Sequence, residues 1–189
     1  AVLDELSTYR FFDDENRLFT VEEAEKILRG EFVYPGERPQ PIHLPFDPHD
    51  IDQGSPNWQL FHARLIIPRI MLAAYRTTGR EEFLLTARDI ILGWATYERG
   101  ALIPKGNLWG DHAMAERVLA LAEFWNTYRH HPSFDADVAE TLFVFVARSR
   151  TFLASSALGY RLSNHGMMQD LAMWHISLAF PTLPDASRY

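Results

Sequence analysis

The sequence predicts an all-α fold. From Trp58 to Ala179, apolar residues recur at the three- and four-residue spacing of a helix face, without the strict alternation that marks a strand. Glycine, proline and capping residues divide this stretch into segments of ordinary helix length. The pattern therefore predicts antiparallel helix pairs joined by loops of variable length, in a single helical domain that covers residues 1–189.

The first predicted helix runs from Glu22 to Arg29, because Thr20 and Glu23 have the spacing of a capping box. Residues 34–56 contain six prolines. Proline fixes its own φ angle and lacks a backbone N–H, so this segment is predicted to be an irregular loop within the domain. In the next helix, Pro68 is expected to cause a kink, since it lies on the apolar stripe formed by Trp58, Phe61, Leu65, Leu72 and Tyr75.

Four further helices follow in the same way. One begins after Gly79, stops near Gly100 and has a predicted buried face of Phe83, Ala87, Ile90, Ile91 and Trp94. Asp111 is predicted to cap the next, whose apolar residues are Met114, Val118, Leu121, Trp125 and Tyr128. Another starts at about Asp135, with Val138, Leu142, Val146 and Leu153 facing inwards. The last runs from His165 to Ala179, capped by Ser163 or Asn164.

Composition narrows the function classes. The 189 residues suffice for one domain with a sizeable core, since 47% are hydrophobic. The absence of cysteine excludes a disulfide framework and a thiolate metal site, but it leaves the compartment open. A formal charge of −7 argues against nucleic acid as a partner. No apolar run approaches the roughly 18 residues of a membrane span, so no membrane partner is expected.

Two segments carry candidate chemistry. In Ser163 to Asp170 (SNHGMMQD), His165 and Gln169 fall one helical turn apart on one face. In Trp109 to Arg117 (WGDHAMAER), polar residues fill the first two turns of a predicted helix. Spacing alone favours a capping residue, a surface histidine and a loop glycine for the first segment. For the second, ordinary capping with surface ion pairing and a substrate contact are about equally supported.

These segments resemble the heparinase II/III-like polysaccharide lyases, a group that includes oligo-alginate lyases. The resemblance covers roughly Glu22 to Pro181 and includes an upstream helix with the sequence NWQL, which begins at Asn57. It implies an incomplete toroid of helix pairs, in the N-terminal part of a longer enzyme with a β-sandwich domain outside this chain. It also favours a periplasmic or secreted location. Neither the resemblance nor the spacing of histidines calls for a metal or a cofactor.

The implied reaction is cleavage of an acidic, uronate-containing polysaccharide by β-elimination. Asn164 would neutralise the uronate carboxylate and His165 would take the C5 proton or stabilise the developing charge. The implied substrate-binding residues are His112, Arg117, Asn57, Gln59 and Gln169. Because the chain is acidic overall, a local cluster has to attract the anionic substrate, and the candidates are Arg64, Arg69, Arg76, Arg117 and Arg161.

One departure and three alternatives stand beside this interpretation. The family's catalytic tyrosine lies several dozen residues past the Asn-His pair, and Tyr189 does not match it, so this chain on its own is expected to have an incomplete cleft. The alternatives are a non-catalytic sugar-binding module, a glycoside hydrolase that uses Asp111 and Asp170, and a helical scaffold. Trp58 and His175 are predicted to be core residues, and His130 and His131 a solvated helix end.

Overall fold

A computed structural model describes residues 17–34, 40–47, 55–100, 109–156 and 163–183. These residues form seven α-helices: α1 Val21–Leu28, α2 Pro56–Ala63, α3 Ile66–Thr78, α4 Glu81–Gly100, α5 Asp111–Tyr128, α6 Ala136–Ser156 and α7 Asn164–Ala179. Two strands of two residues each, β1 Glu31–Phe32 and β2 Gln40–Pro41, pair antiparallel. The all-α prediction is thus confirmed for the described part of the chain, where no helix is long and apolar enough to cross a membrane.

Helix α1 begins as its capping residues predict. The Thr20 hydroxyl accepts a hydrogen bond from the Glu23 N–H at 3.1 Å and satisfies one of the unpaired amides of the first turn. Gly30 follows with a φ of +81°, and a Cβ there would lie 2.9 Å from the Ile42 carbonyl oxygen. This glycine lets the chain turn into β1. The predicted loop 34–56 is therefore not wholly irregular, since its residues 40–41 pair with β1.

The expected kink at Pro68 is wrong, because the helix breaks three residues earlier. Leu65 adopts a left-handed conformation with φ 56° and ψ 39°, which separates α2 from α3. Pro68 then lies in the first turn of α3, where the missing N–H costs no intrahelical hydrogen bond. Gly79, with a φ of +71°, ends α3 in the predicted place, and its N–H donates to the Tyr75 carbonyl at 2.7 Å.

The helices alternate in direction along the chain. Arg64 pairs with Glu116 and Arg69 with Glu123, so α3 runs parallel to α5. Between α5 and α7, Asp111 contacts His165 near the starts, and the rings of Trp125 and Phe180 lie 6.1 Å apart near the ends. Helices α4 and α6 run the opposite way, as their contacts with α5 and with Trp109 show. Consequently α3, α5 and α7 all start towards the same end of the molecule.

Helix α5 lies in the centre of this arrangement. Every residue from Ala113 to Phe124 is buried, because α3, α4, α6 and α7 all pack against it. The predicted inward face of α4 is confirmed, with Phe83, Ala87 and Trp94 at 0–1% exposure. Burying each such large apolar side chain contributes about 1.5–3 kcal/mol, so the core around α5 is the main source of stability.

The same helix buries three charged side chains, each paired with a residue on a neighbouring helix. Glu116 accepts from Arg64 at 2.5 Å and Glu123 from Arg69 at 3.1 Å. Arg117 pairs with Glu98 of α4 and donates to the Ala63 carbonyl at 2.8 Å, which satisfies one of the carbonyls at the C-terminal end of α2. These contacts join α3, the end of α4 and the end of α2 to α5.

Candidate functional site

The candidate site lies where the N-terminal ends of α5 and α7 meet. Gly110 is the N-cap of α5, with extended backbone angles and no side-chain cap hydrogen bond. Asp111 is therefore the first residue of the helix and not its cap, contrary to the sequence-based expectation. Because its carboxylate is not used by the amides of its own helix, it is available to α7.

Asp111 accepts hydrogen bonds from two side chains of α7. His165 Nδ1 lies 2.7 Å from Asp111 Oδ2, and Gln169 Nε2 lies 3.2 Å from the same oxygen. A carboxylate oxygen of this kind can only accept, so the Nδ1 of His165 carries the hydrogen. In the neutral ring of His165 the lone pair is then on Nε2, which is the basic nitrogen of that tautomer.

His112 lies next to the Asp111–His165 pair. Its ring centroid lies 3.9 Å from that of His165, with the ring planes at 89°. Partial burial lowers the pKa of His112, and the nearby His165 and Arg64 lower it further, whereas Asp111 opposes the shift. At neutral pH, His112 is therefore a neutral ring that can donate or accept a hydrogen bond beside the Asp111–His165 pair. We call Asp111, His112, His165 and Gln169 the histidine cluster.

The start of α7 brings His165 and Asn164 to the surface. The Ser163 hydroxyl is the cap and accepts from the Gly166 N–H at 3.4 Å, which leaves the Asn164 side chain out of the capping interaction. Asn164 is exposed, and the side chain of His165 is 38% exposed. A molecule in solution can therefore reach both residues, while Asp111 lies deeper, with 19% of its side chain exposed.

Parallel packing places two positive helix ends at the same location. The first amides of a helix carry the positive end of its dipole, and they favour a negatively charged group nearby. Helices α5 and α7 both present this end beside His112 and His165. The cluster thus combines an accessible histidine with an electrostatic environment that suits an anion.

The expected substrate contact at Arg117 is wrong in this structure. Its side chain is completely buried, and its guanidinium binds Glu98 and the Ala63 carbonyl between the rings of Trp94 and Phe145. Arg64, Arg69 and Arg76 are likewise each paired with a buried glutamate, so they form no accessible positive cluster. Arg161 lies outside the described residues.

The remaining substrate-binding candidates separate by burial. Asn57 is exposed and Gln59 is half-buried in the first turn of α2, a helix that packs against α5. Gln169, in contrast, is only 1% exposed and faces Asp111, so the expectation that it contacts substrate directly is wrong. Trp58 is a core residue, as predicted, at 5% exposure.

Three histidines outside the cluster are buried in the interior: His62, His131 and His175. His175 is buried with Nδ1 2.8 Å from the Leu171 carbonyl oxygen, as its predicted core position requires. His131 is 9% exposed and hydrogen-bonds Ser133 at 2.7 Å, so the solvated helix end is confirmed for His130 alone. Burial also lowers the pKa of His62 to about 3, because its ring lies between Phe46 and Trp58 without compensating charge.

Sequence reasoning missed the pairing that organises the site. The sequence motif points to His165, and it suggests Asp111 as a cap or as a hydrolase carboxylate, but no spacing rule connects residues 54 positions apart. Nowhere in the described part of the chain do three histidine, aspartate or glutamate side chains group in a way that would hold a metal ion.

Comparisons of this chain with protein-family models, with curated proteins and with solved structures found no match.

Proposed function

We propose that this chain is the helical part of a lyase that cleaves an acidic, uronate-containing polysaccharide by β-elimination. The observation that carries the proposal is the 2.7 Å hydrogen bond between Asp111 and the partly exposed His165. A carboxylate that holds one ring nitrogen of a histidine as N–H orients the other as a general base, and stabilises the imidazolium formed when that base takes a proton.

In the proposed reaction, His165 Nε2 removes the proton on C5 of the uronic acid. The electron pair of the C–H bond forms a C4–C5 double bond while the bond from C4 to the leaving sugar oxygen breaks. Asn164, the exposed neighbour of His165, donates a hydrogen bond to the uronate carboxylate, and the first amides of α7 add positive partial charge. The leaving oxygen takes its proton from an acid that the family resemblance assigns to a tyrosine beyond this chain.

The proposal includes an incomplete toroid. Helices α3, α5 and α7 run parallel and alternate along the chain with the reversed α4 and α6. In a toroid of helix pairs, such parallel helices form the inner layer, with their starts around a single cleft. The histidine cluster at two of these starts fits that arrangement, and a β-sandwich domain outside this chain would close the cleft.

The test measures formation of the unsaturated uronate by its ultraviolet absorbance, with alginate-like and glycosaminoglycan-like polymers as substrates. The protein is the longest natural form that contains this chain, compared with its His165→Ala and Asp111→Asn variants. His130→Ala is the matched control, because His130 is exposed and lies outside the cluster. We expect product from the unmodified protein and the control, and a loss on the order of 10²-fold or more in both cluster variants.

Absence of unsaturated product from every polymer would refute the lyase. Binding of the same polymers without product would support the non-catalytic sugar-binding module instead. A glycoside hydrolase that uses Asp111 and Asp170 is less well supported, since Asp111 already accepts from His165 and Gln169 and Asp170 is exposed on α7. Saturated sugar products would favour it.

A further inference from the structure

We infer that Gln169 is a positioning residue, which acts through Asp111 to fix the tautomer and orientation of His165. The inference deepens the proposed function and rests on it for its catalytic meaning, although the geometry is independent of the reaction. Gln169 Nε2 and His165 Nδ1 approach the same oxygen, Asp111 Oδ2, at 3.2 and 2.7 Å. The three side chains therefore form a chain of contacts in which Asp111 is the shared acceptor.

The orientation of the Gln169 amide follows from its partner. Placing the amide oxygen against the carboxylate would bring two acceptors together at 3.2 Å, so the amide nitrogen must face Asp111. The amide oxygen of Gln169 is then buried without a hydrogen-bond partner among the described residues. A buried polar atom in that state costs stability, which is offset in part by the donation to Asp111. In this arrangement the charged Asp111 gains a hydrogen-bond donor, whereas Gln169 makes no hydrogen bond through its amide oxygen to the described residues.

Burial explains why this contact can hold Asp111 in place. Gln169 is 1% exposed and follows His165 by one turn of α7, so both donors are fixed on one helix. Asp111 itself is partly accessible, and water would compete for its carboxylate if the Gln169 donor were missing. Without that second donor, the carboxylate gains rotational freedom and the Nδ1–H form of His165 loses its preference.

The inference assigns Gln169 no contact with substrate. A residue that bound substrate directly would change the affinity for it, whereas a positioning residue changes the state of His165 in the free protein. The ring nitrogens of His165 can be observed by nitrogen NMR without any substrate. Failure of the proposed lyase reaction would therefore leave this test intact.

The experiment records the ring-nitrogen shifts of histidines in the selectively labelled protein, at a pH where the imidazoles are neutral. The variants are Gln169→Met, which keeps the length of the side chain but removes the donor, and Asp111→Asn. We expect His165 to be mainly the Nδ1–H tautomer in the unmodified protein and a mixture of tautomers in both variants. His175 is the internal control, because its Nδ1 donates to the Leu171 carbonyl and should stay in one tautomer throughout.

An unchanged His165 tautomer in a folded Gln169→Met protein would overturn the inference. If that variant does not fold, the unmodified protein still provides a test, since the side-chain amide protons of Gln169 should exchange slowly with solvent. Rapid exchange of these protons would also overturn it. Where the lyase reaction is observed, Gln169→Met should lower kcat by about 10- to 100-fold with little change in KM, as the loss of an orienting partner does for metal-bound histidines.

Discussion

Helix α5 carries ionisable side chains in two contrasting regions. In its interior, Glu116, Arg117 and Glu123 are 0–2% exposed, and each is paired across a helix interface. At its N-terminal end, Asp111 and His112 are only partly buried, and they meet His165 of α7. The interior pairs are closed to other molecules, whereas the end is open.

The difference shows that burial decides the role of a charged residue here. An interior arginine has already exchanged its water for glutamate and carbonyl partners, and a polysaccharide would have to break that pairing to reach it. The side chain of His165, at 38% exposure, can meet a ligand without such a rearrangement. Arg117 and His112 are only five positions apart, yet the first is structural and the second is a candidate site residue.

The largest expected loss of stability is at the buried ion pairs in the interior of α5. Glu123→Ala removes the buried carboxylate that pairs with both Arg69 and Arg76. Breaking a buried ion pair from one side costs about 3–5 kcal/mol, so the free energy of unfolding from denaturant titration should fall by that amount. Glu140→Ala, at an exposed position of α6, should stay within about 0.5 kcal/mol of the unmodified protein. A loss below about 1 kcal/mol for Glu123→Ala would contradict the structural role.

A substitution at the exposed start of α7 should lower the rate of the proposed reaction and change the stability of the protein very little. Asn164→Ala should lower the turnover of unsaturated product by about 10²-fold, equivalent to about 2.7 kcal/mol, because a donor to the uronate carboxylate acts mainly in the transition state. KM should change little, and the thermal midpoint should remain near that of the unmodified protein, since Asn164 is exposed and does not cap α7. Full activity in the variant would remove Asn164 from the mechanism.

His62 is buried, in contrast to the partly exposed His165, and its burial makes the stability of the protein depend on pH. The pKa of His62 is about 3 in the folded protein and near 6.5 in the unfolded chain, so the unfolded state binds the extra proton first as the pH falls. The stability that His62 contributes is complete above pH 6.5 and declines between pH 6.5 and 3. Between pH 7 and pH 5 this loss is about 2 kcal/mol.

The variant His62→Leu should lack that part of the acid destabilisation. Denaturant titrations at the two pH values give the change in unfolding free energy for the variant and for the unmodified protein. His130→Leu is the control, because an exposed histidine should leave the pH dependence as it is. Equal pH dependence in His62→Leu and the unmodified protein would show that the buried ring is not kept neutral by folding.

The smallest expected effect tests whether the Ser163 cap stabilises the start of α7. Ser163→Ala removes the cap of α7 and should cost about 0.5–1 kcal/mol of unfolding free energy, at the low end for a cap because the hydrogen bond is 3.4 Å long. Thr96→Ala, at an exposed position in the C-terminal part of α4, should not destabilise, since alanine is the better helix former. Equal stability of Ser163→Ala and the unmodified protein would mean that other contacts fix the start of α7.

The helix boundaries were predictable where local chemistry sets them. Thr20 begins α1 and Gly79 ends α3 because capping and a left-handed glycine act over three to five residues. The break at Leu65 was missed, because the left-handed conformation of a leucine is stabilised by its surroundings and has no local signal. Of the candidate site, His165 was found from its motif, while the partner at Asp111 was not.

By itself, the sequence determined the helical class, most helix limits and the inward face of α4, since all of these depend on residues close together in the chain. Only the tertiary structure decided which polar side chains are closed and which are open. In the structure, Arg117 is a buried contact between helices and not a substrate ligand, and His131 is buried and not solvated. Asp111 is the acceptor for His165 and not a helix cap. The physical reason is that burial and pairing arise between different helices, whose paired residues lie 19 to 54 positions apart for Arg117 and Asp111, and sequence spacing does not encode such contacts.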